Sequence, residues 1–165
     1  AGLDRLARIL SERSSVQLNL SELARDLQVT AETSNRWVAA LEQLHLGFTL
    51  RPWSKDIANS LRKEPRWFLR DWSGIADEGA RAETLVACHL LKATEGWTDL
   101  GLGHYELRYL RDKLKREVDF VVVRDGKREA IARKIGPEAV CDRGMTLPAR
   151  IAASCCPPAK RAAAT

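Results

Sequence analysis

HYELRYLRDKLKREVDFVVVRDGKREAIARK, residues 104–134, is the stretch whose reading decides the fold. Tyr105, Leu107 and Tyr109 alternate with polar residues, the period of a half-buried strand. Residues 118–123 form a β-branched and aromatic run broken by one carboxylate, Asp119. Arg124-Asp125-Gly126-Lys127 is a turn signal, and a third short segment follows it and ends at Lys134. A carboxylate inside an apolar strand is costly unless something pairs with it. Asp119 therefore calls for a metal ion, a base or the protein edge, which makes it the leading candidate for a site. The alternative is that Asp119 points outward from a half-exposed strand beside Lys115 or Arg116.

Working outward from this stretch, 165 residues suffice for one ordinary domain or two small ones, and 45% apolar with 30% charged residues indicates a soluble globular chain. No apolar run approaches the roughly 20 residues that span a bilayer, so the expected localisation is cytoplasmic with no membrane partner. The first residue is Ala1 and not Met, which suggests a fragment or a processed chain. The net charge of +5 belongs to the tail: residues 124–165 hold nine Lys/Arg against four Asp/Glu, leaving eighteen against eighteen before them. Of the four cysteines, Cys88 falls among apolar helical residues, the setting of a buried reduced thiol. Cys155 and Cys156 are adjacent, without zinc-ligand spacing and with no histidine nearby, so neither a structural disulfide nor a zinc site is expected.

Taken in order, Leu3, Leu6, Ile9 and Leu10 are spaced for an amphipathic helix, followed by a polar break at residues 11–15. Ser21 is the expected cap of a short helix over residues 22–27. Gln28-Val29 makes a tight turn, and Thr30 caps a longer helix to about His45 with Trp37, Val38, Leu41 and Leu44 on one face. Two helices so closely joined form a helix-turn-helix pattern. A strand over residues 46–50, stopped by Arg51-Pro52, and a return strand Trp67-Phe68-Leu69 complete a winged helix. In the DNA-binding reading Ser34, Asn35, Arg36 and Gln43 face a groove, while Arg51 and Lys55 lie near phosphates. In the other reading the winged helix serves only packing or dimerisation, since the second helix offers one arginine beside Glu32 and Glu42. The basic cluster Arg51, Lys55, Arg62, Lys63, Arg66 and Arg70, interleaved with aromatic residues, reads either as a nucleic-acid track or as a solvated connector.

A break at residues 71–74 precedes a helix over about 81–93, with Glu83 near its positive end and His89 lacking any nucleophile partner. Residues 96–103 read as a glycine-containing loop without the Lys and Ser/Thr of a phosphate-binding loop, so no nucleotide site is expected. From Ile135 onward periodicity fades, and from Ala149 there are seven alanines with no acid and no aromatic, the composition of a weakly structured tail.

Seven elements, taken together and in this order, resemble a known family. They are Leu18-Asn19-Leu20-Ser21-Glu22-Leu23-Ala24, the helix over 30–44, Arg51-Pro52-Trp53-Ser54, residues 68–71, Gly79-Ala80-Arg81-Ala82-Glu83, Gly96-Trp97-Thr98-Asp99-Leu100-Gly101 and Arg116-Glu117-Val118-Asp119-Phe120. The chain is similar, over about residues 1–127, to the C-terminal region of bacterial ATP-binding proteins of the AAA type, known as domain of unknown function 4143. That resemblance implies an ATPase module before Ala1, then a winged helix, then a domain like the PD-(D/E)XK, or restriction-endonuclease-like, fold. The expected class is thus α/β in the α+β sense, with a winged helix-turn-helix at 1–70, a truncated nuclease-like αβ domain at 71–135 and a divergent tail at 136–165.

Carried over, the resemblance implies Glu83 as the helix acid, Asp119 as the strand aspartate and Ala132-Arg133-Lys134 at the Glu-x-Lys element. In such a site Glu83 and Asp119 hold magnesium, which polarises a phosphodiester and activates water, while Lys134 stabilises developing charge. Ala132 cannot ligate a metal, and Arg133 adds positive charge where a cation would sit. The match ends near Arg128, where the excess charge begins, so residues beyond about Lys127 are expected to be divergent or frame-shifted; an alternative reading frame that restores an acid-x-lysine strand would show it. The sequence therefore predicts a non-catalytic nucleic-acid-binding or interaction module without a cofactor. The alternatives are a magnesium-dependent nuclease using Glu83, Glu117, Asp119 and Lys134, and a protein-association module. The expected partner is DNA, with self-association or an ATPase as the other readings.

Overall fold

The computed structural model describes residues 2–53, 64–111 and 117–132. Its described part is an α+β structure of four helices and two small antiparallel sheets. Helix α1 (Gly2–Ser11) buries Leu6 and Leu10, four residues apart on one stripe. Strand β1 (Val16–Gln17) lies just beyond the polar stretch in which the sequence signalled only a break.

Helix α2 (Leu20–Leu27) is capped by Asn19 and not by Ser21, because the Asn19 side-chain oxygen accepts from the Glu22 N–H at 2.9 Å. It ends where Gln28 takes the left-handed conformation, at φ 56°. Helix α3 (Ala31–Gln43) starts at the expected Thr30 cap, whose hydroxyl accepts from the Thr33 N–H at 3.2 Å. Val38 and Leu41 are buried as anticipated, but α3 stops at Gln43 and the chain turns at His45, so Leu44 leaves the helical phase and is 71% exposed.

Strands β2 (Gly47–Leu50) and β3 (Arg66–Leu69) pair antiparallel, with Phe48 opposite Phe68, and β1 pairs with the other edge of β3. The sheet order is therefore β1-β3-β2. All four residues of β3 are buried, which means both faces of the strand are covered. Alternation sends Trp67 into the helical layer, among Leu6, Leu10, Leu23, Val38 and Leu41, where its indole N–H donates to the Leu10 carbonyl at 3.1 Å. It sends Arg66 and Phe68 the other way.

On that other face lies α4 (Glu78–Asp99), with Asp77 as its cap accepting from the Ala80 N–H at 2.6 Å. The helix is longer than the 81–93 segment expected. Gly96 belongs to it, because leucine and threonine spacing continues through Thr94 and Trp97 and outweighs one glycine. The glycine loop shrinks to the turn at Gly101 and Gly103, both with positive φ.

The second sheet, in the order β4-β5-β6, consists of β4 (Tyr105–Arg111), β5 (Glu117–Arg124) and β6 (Lys127–Ala132). The Asp125-Gly126 turn has φ values of 48° and 77°, the two positive dihedrals of a type I′ hairpin, as the sequence signalled. The sheets also meet directly. The Trp53 N–H donates to the Tyr109 carbonyl at 2.6 Å, the Tyr109 N–H to the Arg51 carbonyl at 3.2 Å, and the Tyr109 hydroxyl to the Glu64 carbonyl at 2.6 Å. Phe48, Phe68 and Phe120 form an aromatic row, with centroids 5.5 and 5.9 Å apart. One core thus runs from the first sheet through α4 to the second, across the boundary drawn at residue 70. No helix among the described residues is long and apolar enough to cross a membrane.

Candidate functional site

Asp119 owes its position to an irregularity in the sheet. Arg108 faces Val121, yet Leu110 faces Val118, so Tyr109 alone stands opposite both Asp119 and Phe120. Such a bulge places one extra residue on β5 and re-aims its side chains. Asp119 and Phe120, which strict alternation would send to opposite faces, are both buried. The outward-facing alternative for Asp119 is thereby excluded.

The partner of Asp119 is a base. Arg66 Nη1 donates to Asp119 Oδ1 at 3.3 Å, and Arg66 Nη2 donates to Glu83 Oε1 at 2.6 Å. Nη2 also lies 3.0 Å from the Ser15 carbonyl and 3.1 Å from its hydroxyl oxygen. The Ser15 hydroxyl donates to Glu83 Oε2, closing the ring of contacts. Side-chain exposures of 9% for Arg66, 16% for Glu83 and 12% for Asp119 put all three charges largely out of water. A guanidinium suits this position because its planar fork offers separate N–H groups to two carboxylates at once. It also packs over the Phe68 ring, 5.4 Å from the centroid.

Burial pushes the Glu83 carboxyl above its ordinary range, against the Ser15 hydroxyl and the Arg66 guanidinium, which pull it down, and the Asp119 charge adds to the rise. Beside this ring Ser14 and Thr84 form a second buried link. The Thr84 hydroxyl donates to the Ala80 carbonyl at 2.6 Å, so Ser14 is the donor in their 2.7 Å bond, and Ser14 in turn accepts from the Leu69 N–H at 3.0 Å.

The two acids that the sequence singled out are therefore brought together, but the cation they share is Arg66. The donor set does not fit the magnesium ion that a nuclease-like site would hold, because a guanidinium occupies the place between the carboxylates. Among the described residues no group of three or more His, Cys, Asp or Glu is arranged to hold a metal. Ala132 is placed opposite Phe120 in the β5–β6 register. Lys134 lies outside the described residues, as does the Glu117 side chain. Arg66, counted in the sequence among surface bases, is a buried structural residue; the missed signal was its position at the head of an apolar strand, two residues before Phe68. Ser14, Ser15 and Thr84 gave no signal of their own.

The second candidate surface is the outer face of α3. Asn35, Arg36 and Gln43 are exposed on it, as expected. Ser34 is not: it is fully buried, in phase with Val38 four residues on, and its hydroxyl has no hydrogen-bond partner among the described residues. It is unable to touch a groove. Glu42 also turns inward, its carboxylate accepting from the Thr49 N–H at 2.6 Å. Arg51 is exposed at the end of β2, and Lys55 lies outside the described residues.

Helix, strand, two helices and an antiparallel strand pair, joined by one core to a helix and a three-stranded sheet, define an α+β protein with a polar cluster at the junction. Residues 1–77 match a family model described as Domain of unknown function (DUF8612), a span that ends at the cap of α4 and contains Arg66 but neither acid. No curated protein and no solved structure matches the chain.

Proposed function

We propose that this chain is a cytoplasmic, non-catalytic nucleic-acid-binding module whose first 70 residues act as a winged helix. The observation that carries the reading is the connectivity α1-β1-α2-α3-β2-β3, with β3 paired between β1 and β2 and the outer face of α3 open to solvent. This is the order in which a helix-turn-helix is followed by a wing, and it leaves Arg36 on α3 and Arg51 on the β2 end exposed. Arg66 supports the non-catalytic part, since it neutralises the acids that a metal would need. The resemblance to the C-terminal region of AAA-type ATP-binding proteins supports an ATPase as the partner that such a module would serve.

Fluorescence anisotropy with a labelled duplex, titrated at several salt concentrations, tests the proposal. Affinity should fall linearly on a log–log plot against salt as phosphate counterions are released. Absence of binding at the lowest salt would refute it. A second reading, protein association, draws on Leu100 and Leu102, which are 75% and 51% exposed around Gly101. Concentration-dependent sedimentation without DNA binding would favour it.

A further inference from the structure

We infer that the end of the molecule at which β2 and β4 begin is a contact surface between two copies of this chain, related by a two-fold axis. The inference deepens the association reading of Leu100 and Leu102 by naming the partner, and it does not depend on whether the chain holds DNA.

Strand pairing gathers this surface from separate parts of the sequence. β3 is antiparallel to β2, and the Arg70 N–H donates to the Leu46 carbonyl at 3.1 Å, so Leu44 before β2 and Trp72 after β3 lie at one end of the first sheet. β4 runs parallel to β2 at the bridge between Pro52 and Tyr109, which turns its start toward the same end. Leu100 and Leu102 precede that start, in the turn that follows α4. The ion pair of Arg70 with Glu95, at 3.8 Å, ties the last turns of α4 to the first sheet there. These four are all but one of the large apolar side chains exposed among the described residues. The fifth, Val16, stands on the outer strand β1 opposite Trp67, away from this end. A single exposed leucine is ordinary, whereas several collected at one end and rimmed by polar groups mark a protein contact.

The charges at this end indicate which protein fits. Three exposed bases, Arg70, Arg124 and Lys127, stand against four exposed acids, Asp71, Glu95, Asp99 and Asp125, a net of −1. Arg124 is placed beside the leucines, donating to the Leu102 carbonyl at 2.7 Å. A nearly neutral surface of mixed sign does not attract a polyanion or a strongly basic partner. It does suit a copy of itself. In an isologous contact the same patch meets itself, so it must supply both the apolar area and the two members of every ion pair. A patch of one sign would repel its copy, and this one carries both.

Sedimentation velocity of the full chain over a range of concentrations, in a thiol reductant and without DNA, tests the inference. A reversible equilibrium between monomer and dimer is expected. Leu44→Glu and Leu102→Glu should each raise its dissociation constant by about 100-fold, because a two-fold contact loses the leucine twice and each loss is worth roughly tenfold. Val16→Glu should change it by less than about twofold, since it lies outside the contact. All three residues are exposed, so the variants should melt with the parent chain, and either leucine variant decides the matter if the other is destabilised. A photo-crosslinking residue at position 102, in a mixture of isotopically light and heavy chains, should join light to heavy. A chain that stays monomeric at every concentration, or a dimer indifferent to both leucine variants, would overturn the inference. So would a link from position 102 only to residues 133–165 of the same chain, which would make the chain's own tail the occupant. Duplex binding is measured separately, by anisotropy, and stands or fails on its own.

Discussion

Replacing Arg66 with methionine keeps an unbranched apolar stem and removes the charge between Glu83 and Asp119. Two carboxylates, 16% and 12% exposed, then lose a common cation that reaches them at 2.6 and 3.3 Å. Removing one partner from a buried ionic group costs about 3–5 kcal/mol, because the charges left behind remain desolvated. The loss should also depend on pH, and its sign can be worked out. Without Arg66 one of the groups that pull the Glu83 carboxyl down is gone, so its pKa in the folded state rises further. A carboxyl whose folded pKa is raised contributes stability that is present below its unfolded value, about 4, and lost as pH rises through the folded one. Native Glu83 already has this sign through its burial. The variant should therefore be weakest near neutrality and should recover part of the deficit on acidification toward about pH 4, by about 1.4 kcal/mol for each unit of added pKa shift. Urea unfolding of both proteins at neutral and acid pH measures this directly. A loss below about 1 kcal/mol at neutral pH, or one that is the same at both pH values, would refute the assignment of Arg66 as the shared buried counter-charge.

Three further outcomes follow from the packing. Asn19→Ala should cost about 1 kcal/mol in urea unfolding while Ser21→Ala costs a few tenths at most, since Asn19 alone caps α2. Ser34→Ala should leave stability unchanged or raise it slightly and leave DNA affinity unaltered, because it deletes a buried hydroxyl that has no partner among the described residues; a weakened DNA complex would return Ser34 to the interface. Gly47→Ala should lower the melting temperature sharply, because an added Cβ would stand 2.5 Å from the Phe68 carbonyl oxygen and within the Trp67 ring contact; a melting temperature equal to the parent's would contradict that packing.

The elements that the sequence made legible are those with strong local chemistry. Thr30 announces α3, Asp125-Gly126 announces the β5–β6 hairpin, and the run from Val118 to Val123 announces a buried strand. Asp119 could be singled out because a carboxylate in an apolar strand requires a reason, whereas Glu83, five residues into α4, was a candidate only through the family resemblance. What escaped detection was long-range. The separation of 53 residues between Arg66 and Asp119 leaves no local trace, and the bulge opposite Tyr109 that turns Asp119 inward is a property of strand pairing. Ser34 was misplaced for a different reason. Its identity as a small polar residue suggested a surface, whereas its phase with Val38 and Leu41 decides that it is buried.

The most direct test of the central claim, that the module holds DNA without cutting it, is one incubation of the full chain with an end-labelled duplex and magnesium, divided between a native and a denaturing gel. The account predicts a retarded complex on the native gel and intact strands on the denaturing gel. Magnesium-dependent cleavage that disappears in Asp119→Ala would contradict it, because Arg66 would then have to yield its place between Glu83 and Asp119 to a metal.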